Sequence, residues 1–168
     1  MKNDEVKTIP VFPNVFPWNE LLLDGKIFAK TRNWDWKYRG LVLLYTSKGR
    51  IDKTTAEQHG FDPKQYPLGA IIGVGNLTNV KKLTLLEQVN LFRQFNKTTK
   101  KEAHEFYHEE YSERSGYVLP MDYGFFFEDL KRFEPCIIFP YPPGSVRYYN
   151  FHITKFIEKE LRKLGYNI

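Results

Sequence analysis

Residues 17–40, PWNELLLDGKIFAKTRNWDWKYRG, decide the fold because they predict a short helix that leads directly into a strand. The Leu-rich run Trp18–Leu23 is typical of a helix. Asp24 and Gly25 end it, since glycine adopts the left-handed capping conformation without a Cβ clash. Residues 26–32 then predict a strand, whose alternate side chains point to opposite faces.

Aromatic and cationic side chains crowd around the end of this predicted strand. They are Trp18, Lys30, Arg32, Trp34, Trp36, Lys37 and Arg39. Aromatic faces stack on bases and cations pair with phosphates, a combination that proteins use to bind single-stranded nucleic acids. The segment therefore predicts a cleft for a nucleic acid or a nucleotide, with RNA as the expected polymer.

The order of short motifs along the chain resembles the ASCH domain family of the PUA-like superfamily. These motifs are Pro17-Trp18, Gly25, Arg32, Asn33-Trp34, Tyr38-Arg39-Gly40, the apolar strand 41–45, Pro67-Leu68-Gly69 and Ile71-Ile72-Gly73, with a weaker likeness at Tyr123-Gly124-Phe125, Lys131-Arg132-Phe133 and Pro135. They cover somewhat more than half of the chain. The resemblance implies a single α+β domain over residues 1–168, built as a PUA-like mixed β-barrel flanked by helices. It also implies a ligand cleft beside residues 25–32 and recognition of RNA, DNA or modified nucleosides.

The chain departs from the family signature, Gly-x-Lys-x-x-Glu-x-Arg. Gly25 and Arg32 keep their places, but Ile27 occupies the Lys position and Lys30 the Glu position. In family members that resemble amidohydrolases acting on acetylated cytidine, a Lys and a Thr at these positions work with a strand carboxylate, where this chain carries Asn76. An isoleucine cannot move a proton, and an amide is not a carboxylate base. We therefore expect binding without turnover.

This reasoning predicts a set of binding residues, but it leaves other structural roles and another function open. The binding set is Trp18, Lys30, Arg32, Trp34, Trp36, Arg39 and Asn76, with Arg147 and Tyr148 closing the opposite wall, because in this family the last strands lie across the cleft. The tryptophans alternatively fill the end of the barrel, and Arg32 alternatively forms an internal ion pair. The alternative function is an amidohydrolase acting on an acetylated nucleoside, with Lys26 or Lys30 as an amine activated by desolvation.

Length, charge and cysteine content narrow the class of protein. A chain of 168 residues can bury one good core. The net charge of +5 and the pI of about 9.1 favour an anionic partner, although 20 acidic residues dilute this signal. Cys136 has no second cysteine to pair with, and no apolar run is long enough to span a bilayer. We expect a cytoplasmic protein that uses neither a membrane nor a cofactor.

The remaining elements follow from apolar periodicity and from breakers. Residues 6–16 predict an extended segment limited to short edge pairing by Pro10 and Pro13. Strands are expected at 41–46, 69–80, 123–128, 136–139 and 146–151, with a loop at 47–66 that includes a helical turn near 54–59. A final amphipathic helix at 153–164 is expected to bury Ile153, Phe156, Ile157, Leu161 and Leu164.

Residues 84–113 predict an inserted helical hairpin. Thr84-x-x-Glu87 and Thr99-x-x-Glu102 are capping boxes, and each precedes apolar residues at helical spacing. A second alternative function is therefore protein binding through an exposed apolar strip of the insertion, formed by Phe92, Phe95, Phe106 and Tyr111.

Within this insertion, His104-Glu105-Phe106-Tyr107-His108 matches the His-Glu-x-x-His motif of zinc hydrolases. Charged residues flank the motif on both sides, whereas a catalytic zinc helix is usually apolar around its ligands. We expect a solvent-facing helix, with metal binding by His104 and His108 as a weak alternative.

Overall fold

The structure, a computed structural model, describes residues 7–96, 123–142 and 147–168. Within these ranges it has an α+β fold, as predicted. Its elements are β1 Thr8–Phe16, α1 Trp18–Leu23, β2 Lys30–Arg32, β3 Gly40–Ile51, α2 Lys53–His59, a 3-10 helix Pro63–Gln65, β4 Ala70–Lys82, α3 Leu85–Asn96, β5 Tyr123–Ile138, β6 Tyr149–His152 and α4 Lys155–Lys163. Helix α1 has the predicted bounds, and Gly25 follows it with a φ of 68°.

The six strands form one mixed sheet in the order β2-β5-β4-β3-β1-β6. Strands β1 and β3 are parallel, and the other neighbours are antiparallel. The sheet is strongly curled. Three strands separate β2 from β1 in the sheet order, yet the Arg32 guanidinium of β2 lies 2.7 Å from the Pro13 carbonyl of β1. The predicted barrel is nevertheless open in the described residues, with β2 and β6 as edge strands joined to no further strand.

Strand β1 is an interior strand, which corrects the prediction of short edge pairing for residues 6–16. Its side chains alternate between two buried clusters: Phe12 and Phe16 pack on the concave side, and Ile9 and Val11 pack on the other side. The free energy gained by burying apolar side chains on both faces of β1 exceeds the loss of the backbone hydrogen bonds that its two prolines cannot donate. The final helix covers the second cluster with Ile157 and Leu161.

Several predicted strand bounds are wrong. Strand β2 begins only at Lys30, and β6 begins at Tyr149 instead of at residue 146. Strand β5 runs without a break where two strands were predicted, because Pro135 lies in an irregular stretch between the pairs Gly73–Arg132 and Ile71–Ile137. A bulge accommodates a proline there without ending the strand.

Two helix predictions also need comment. Helix α3 has the predicted capping box, since Thr84 and Glu87 exchange backbone-to-side-chain hydrogen bonds. Its Phe95 is not part of an exposed strip, because it packs edge-on against Trp18. In α4, Phe156 is exposed, since it lies about 100° around the helix from Ile157. The second predicted helix of the insertion lies outside the described residues, as do His104 and His108.

A buried ion pair ties α1 to β5. Glu20 is 1% exposed, and its Oε2 lies 2.6 Å from Arg132 Nη2. Asp24 lies further from the same guanidinium, at 3.7 Å. The helices in the described part of the chain include none that is long and apolar enough to span a membrane.

Candidate nucleic-acid interface

A cleft of about 700 Å³ opens where the ends of β1 and β3 face β2. Its volume lies within the range that holds small-molecule ligands. The lining residues are Pro13, Asn14, Val15, Trp18, Lys30, Arg32, Asn33, Trp34, Ser47, Arg50, Ile51, Asp52 and Arg147. Four of them are cationic and Asp52 is acidic, so the lining favours an anionic ligand.

The parallel pairing of β1 with β3 creates one wall of the cleft. The two strands pair at Asn14–Thr46 and again at Phe16–Ile51, so β3 places residues 47–50 opposite Val15 alone. This irregularity turns Ser47 and Arg50 toward the cleft. Asp52 follows immediately as the N-cap of α2, where its carboxylate accepts hydrogen bonds from the backbone and hydroxyl of Thr55.

Lys30 lines the cleft and is 8% exposed. Its Nζ sits 4.0 Å from the centroid of the Trp18 ring, a cation–π distance. In the described part of the chain its ammonium has no hydrogen-bond acceptor. Burial, followed by the charge of Arg32, lowers the pKa of Lys30 well below its ordinary value of 10.5, and the Asp52 carboxylate partly offsets this. A buried cation of this kind is open to an anionic or reactive ligand.

Arg32 holds β2 against β1. Its guanidinium donates to the carbonyls of Thr31 and Pro13 and to the side-chain oxygen of Asn14, and it lies over the Phe12 ring. Burial lowers the pKa of Arg32 to about 10. Its partners are neutral, so the internal ion pair considered as the alternative role of Arg32 is absent from the described residues. Arg32 therefore has a structural role at the edge of the cleft.

A chain of buried amides extends from Arg32 into the fold. Asn14 donates to the Asn19 side chain of α1 at 2.6 Å, and Asn19 donates to the Thr46 hydroxyl of β3 at 3.1 Å. All three side chains are buried. Because every link is a hydrogen bond between buried groups, the chain fixes the positions of β1, α1 and β3 around the cleft.

The two cleft tryptophans differ in their accessibility. Trp18 is half-buried, whereas Trp34 is 9% exposed and packs against Phe125 at a centroid distance of 5.0 Å. The exposed Arg147 places its guanidinium 5.3 Å from the Trp34 centroid. A base that stacks on this face of Trp34 must displace or share the position of Arg147.

The structure brings five of the nine residues of the predicted binding set into the cleft lining and leaves the others outside it. Inside are Trp18, Lys30, Arg32, Trp34 and Arg147. Trp36 stacks on Tyr148 at 4.4 Å within the core, and Arg39 donates to three backbone carbonyls. Asn76 lies mid-strand in β4, and the exposed Lys26 lies over Phe61. Lys26 and Lys30 are the two candidates for the amine of the amidohydrolase alternative. Of these two, Lys30 lines the cleft and Lys26 does not.

Sequence reasoning left five polar residues of the lining out of the binding set: Asn14, Asn33, Ser47, Arg50 and Asp52. Asn14 carried a signal, because it is a lone amide within the apolar run of β1. Asp52 also carried one, since it precedes a helical turn as an N-cap residue does. Nothing local indicated Arg50, whose place depends on the parallel pairing of β1 with β3.

Comparisons with known proteins identify the fold and little more. No protein-family model matches the sequence, and no curated protein matches it. Solved structures of ASCH from Zymomonas mobilis do match, with a TM-score of 0.51 at 10% identity, over 92% of this chain and 94% of that chain. A tyrosine-to-phenylalanine variant of that protein matches with a TM-score of 0.52 at 10% identity, over 94% of this chain and 99% of the other. The chain therefore has the ASCH fold that its motifs predicted.

Proposed function

We propose that the protein binds a single-stranded nucleic acid, with RNA as the expected polymer, or a nucleotide in the cleft between β1, β3 and β2. The observation that carries this proposal is Lys30, a residue only 8% exposed that lines the cleft and whose ammonium has no acceptor in the described residues. A phosphate oxygen is a suitable acceptor for such a group. The ASCH fold supports the same class of ligand through the resemblance described above.

The rim of the cleft completes the expected contacts. Arg50 and Arg147 are exposed and line the opening, where they can pair with successive phosphates. Trp18 lines the cleft with its ring under Lys30 Nζ, and Asp52 offers an acceptor for the donor edge of a base. Aromatic stacking combined with flexible phosphate contacts is the general arrangement of single-strand binding proteins.

Fluorescence anisotropy with single-stranded RNA, single-stranded DNA and duplex of mixed sequence tests the proposal. We expect tighter binding of single strands than of duplex, and a loss of about tenfold in affinity for Arg50→Gln or Arg147→Gln, which corresponds to about 1.4 kcal/mol. Lys159→Gln is the matched control, because Lys159 is exposed on α4 and does not line the cleft. Equal losses in all three variants, or no binding to any strand or to free nucleotides, would contradict the proposal.

A second candidate function is hydrolysis of an acetylated nucleoside. The lowered pKa of Lys30 and the Asp52 carboxylate in the same cleft favour it, because an uncharged amine can accept a proton. Ile27 is buried in the core, and Asn76 lies outside the lining, so the resemblance leaves Lys30 as the amine. Release of acetate from N4-acetylcytidine, abolished in Lys30→Met, is the expected result if this function is present.

A further inference from the structure

The surroundings of Lys30 differ from those of other lysines whose contacts the structure describes. Lys37, Lys81 and Lys163 each pair with a carboxylate at 2.7–2.8 Å. Lys131 donates to the Leu164 carbonyl at 2.6 Å. Lys30 instead combines burial, an aromatic neighbour and a cleft that a ligand can enter. Its amine is thus held in place, and none of the residues that the structure describes accepts a hydrogen bond from it.

The cleft also contains groups that support chemistry at this amine. Asp52 lies in the same lining and interacts electrostatically with Lys30, so its carboxylate is suited to exchange a proton with a reacting group. Arg50 and Arg147 line the opening, and both are suited to hold a phosphate. A phosphorylated ligand would therefore be anchored at the rim while its other end reaches Lys30.

We propose that Lys30 captures aldehydes, its Nζ forming a reversible imine with the aldehyde carbon of a phosphorylated ligand held in the cleft. The lone pair of the uncharged amine attacks the carbonyl carbon, and a proton moves from nitrogen to the carbonyl oxygen to give a carbinolamine. The hydroxyl group then leaves as water together with the remaining N–H proton, and the C=N bond forms. No oxidant or reductant is consumed, and hydrolysis reverses the reaction.

Two opposing effects set the amount of uncharged amine. Burial and Arg32 lower the pKa of Lys30, whereas the Asp52 carboxylate and the Trp18 ring favour its charged form. Amines with a lowered pKa are the ones that form imines readily near neutral pH. Burial is the largest influence on the pKa of Lys30, so a larger fraction of this amine is uncharged near neutral pH than of an exposed lysine.

Two sources supply an aldehyde of this chemistry: an abasic sugar within a nucleic-acid strand, and a small phosphorylated aldehyde. The first source rests on the proposed nucleic-acid binding, and the second does not. The experiment therefore uses two probes, each reduced with borohydride to trap the imine as a stable amine. One is a single-stranded oligonucleotide with one abasic deoxyribose, and the other is pyridoxal 5′-phosphate.

We expect the abasic strand to form a covalent adduct with the full chain on a denaturing gel, and peptide mapping of the wild-type adduct to locate it at Lys30. Lys30→Met should reduce the adduct at least tenfold, whereas Lys26→Met should leave it unchanged, because Lys26 is exposed outside the cleft. Peptide mapping needs no variant, so the test holds even if Lys30→Met folds poorly.

A tetrahydrofuran analogue of the abasic strand separates capture from binding. If the protein binds this analogue in anisotropy but traps neither probe at Lys30, aldehyde capture is overturned and the proposed function stands. If it binds neither a strand nor a free nucleotide but pyridoxal 5′-phosphate is trapped at Lys30, the small aldehyde is the source and the proposed function fails. Adducts spread evenly over several lysines would also overturn the inference.

Discussion

The buried amine of Lys30 should make stability depend on pH. The unfolded chain binds more protons at this residue than the folded one between the lowered pKa and 10.5. The free energy of unfolding of the wild type should therefore rise with pH across this window relative to Lys30→Met. Urea unfolding of both proteins from about pH 7 to about pH 10 measures the difference. Lys26→Met, an exposed control, should follow the wild type, and parallel curves for all three proteins would show that Lys30 is not desolvated.

Arg32 is expected to act on stability more than on affinity. The two terminal nitrogens of Arg32 bond different partners, Nη1 the Thr31 carbonyl and Nη2 both the Pro13 carbonyl and the Asn14 side chain. Lysine keeps the positive charge but has one nitrogen, so Arg32→Lys should lower the free energy of unfolding by about 2 kcal/mol. Chemical denaturation measures this loss, and anisotropy measures affinity in the same preparation. Unchanged stability together with weaker nucleic-acid binding would instead identify Arg32 as a ligand contact.

At the scale of elements, removing one partner of the ion pair between α1 and β5 should lower the free energy of unfolding. Arg132→Met leaves the Glu20 carboxylate buried and unpaired, and we expect a loss of about 3 kcal/mol in the free energy of unfolding. The double variant Glu20→Leu with Arg132→Met should recover most of it, because no charge remains buried.

Asp24→Asn is the matched control for this pair. Asp24 lies 3.7 Å from the same guanidinium but is more exposed, so we expect its substitution to cost about 0.5 kcal/mol or less. A double variant as unstable as Arg132→Met alone would show that packing, and not the unpaired charge, causes the loss.

The elements that the sequence predicted well are those specified locally. Helix α1 ends at a glycine, and the capping box of Thr84 and Glu87 begins α3, so a few neighbouring residues suffice. Strand β1 could not be placed, because its prolines indicate an edge while burial on two faces depends on distant partners. The tryptophans show the same limit: Trp34 and Trp36 share a segment, yet only Trp34 reaches the cleft.

At the scale of the whole molecule, the cleft and the net charge of +5 predict different salt dependences. Arg32 is occupied by protein acceptors, which leaves Lys30, Arg50 and Arg147 for phosphates. Three contacts on a single strand predict a slope of about −2 in a plot of log affinity against log salt concentration. Anisotropy at several salt concentrations measures it. A much steeper slope would show that basic residues elsewhere on the surface share the binding.

The interior position of β1 has a consequence for folding during synthesis on the ribosome. Strand β1 can pair with β3 early, but its other edge waits for β6, which is translated more than 130 residues after Phe16. At cellular translation rates this wait lasts on the order of 10 s. Pro10 and Pro13 are three residues apart, so the donors that they lack belong to opposite edges of β1, and neither edge presents an unbroken row of donors during that time. The two prolines that indicate an edge strand in the sequence therefore limit pairing of the nascent chain with other chains.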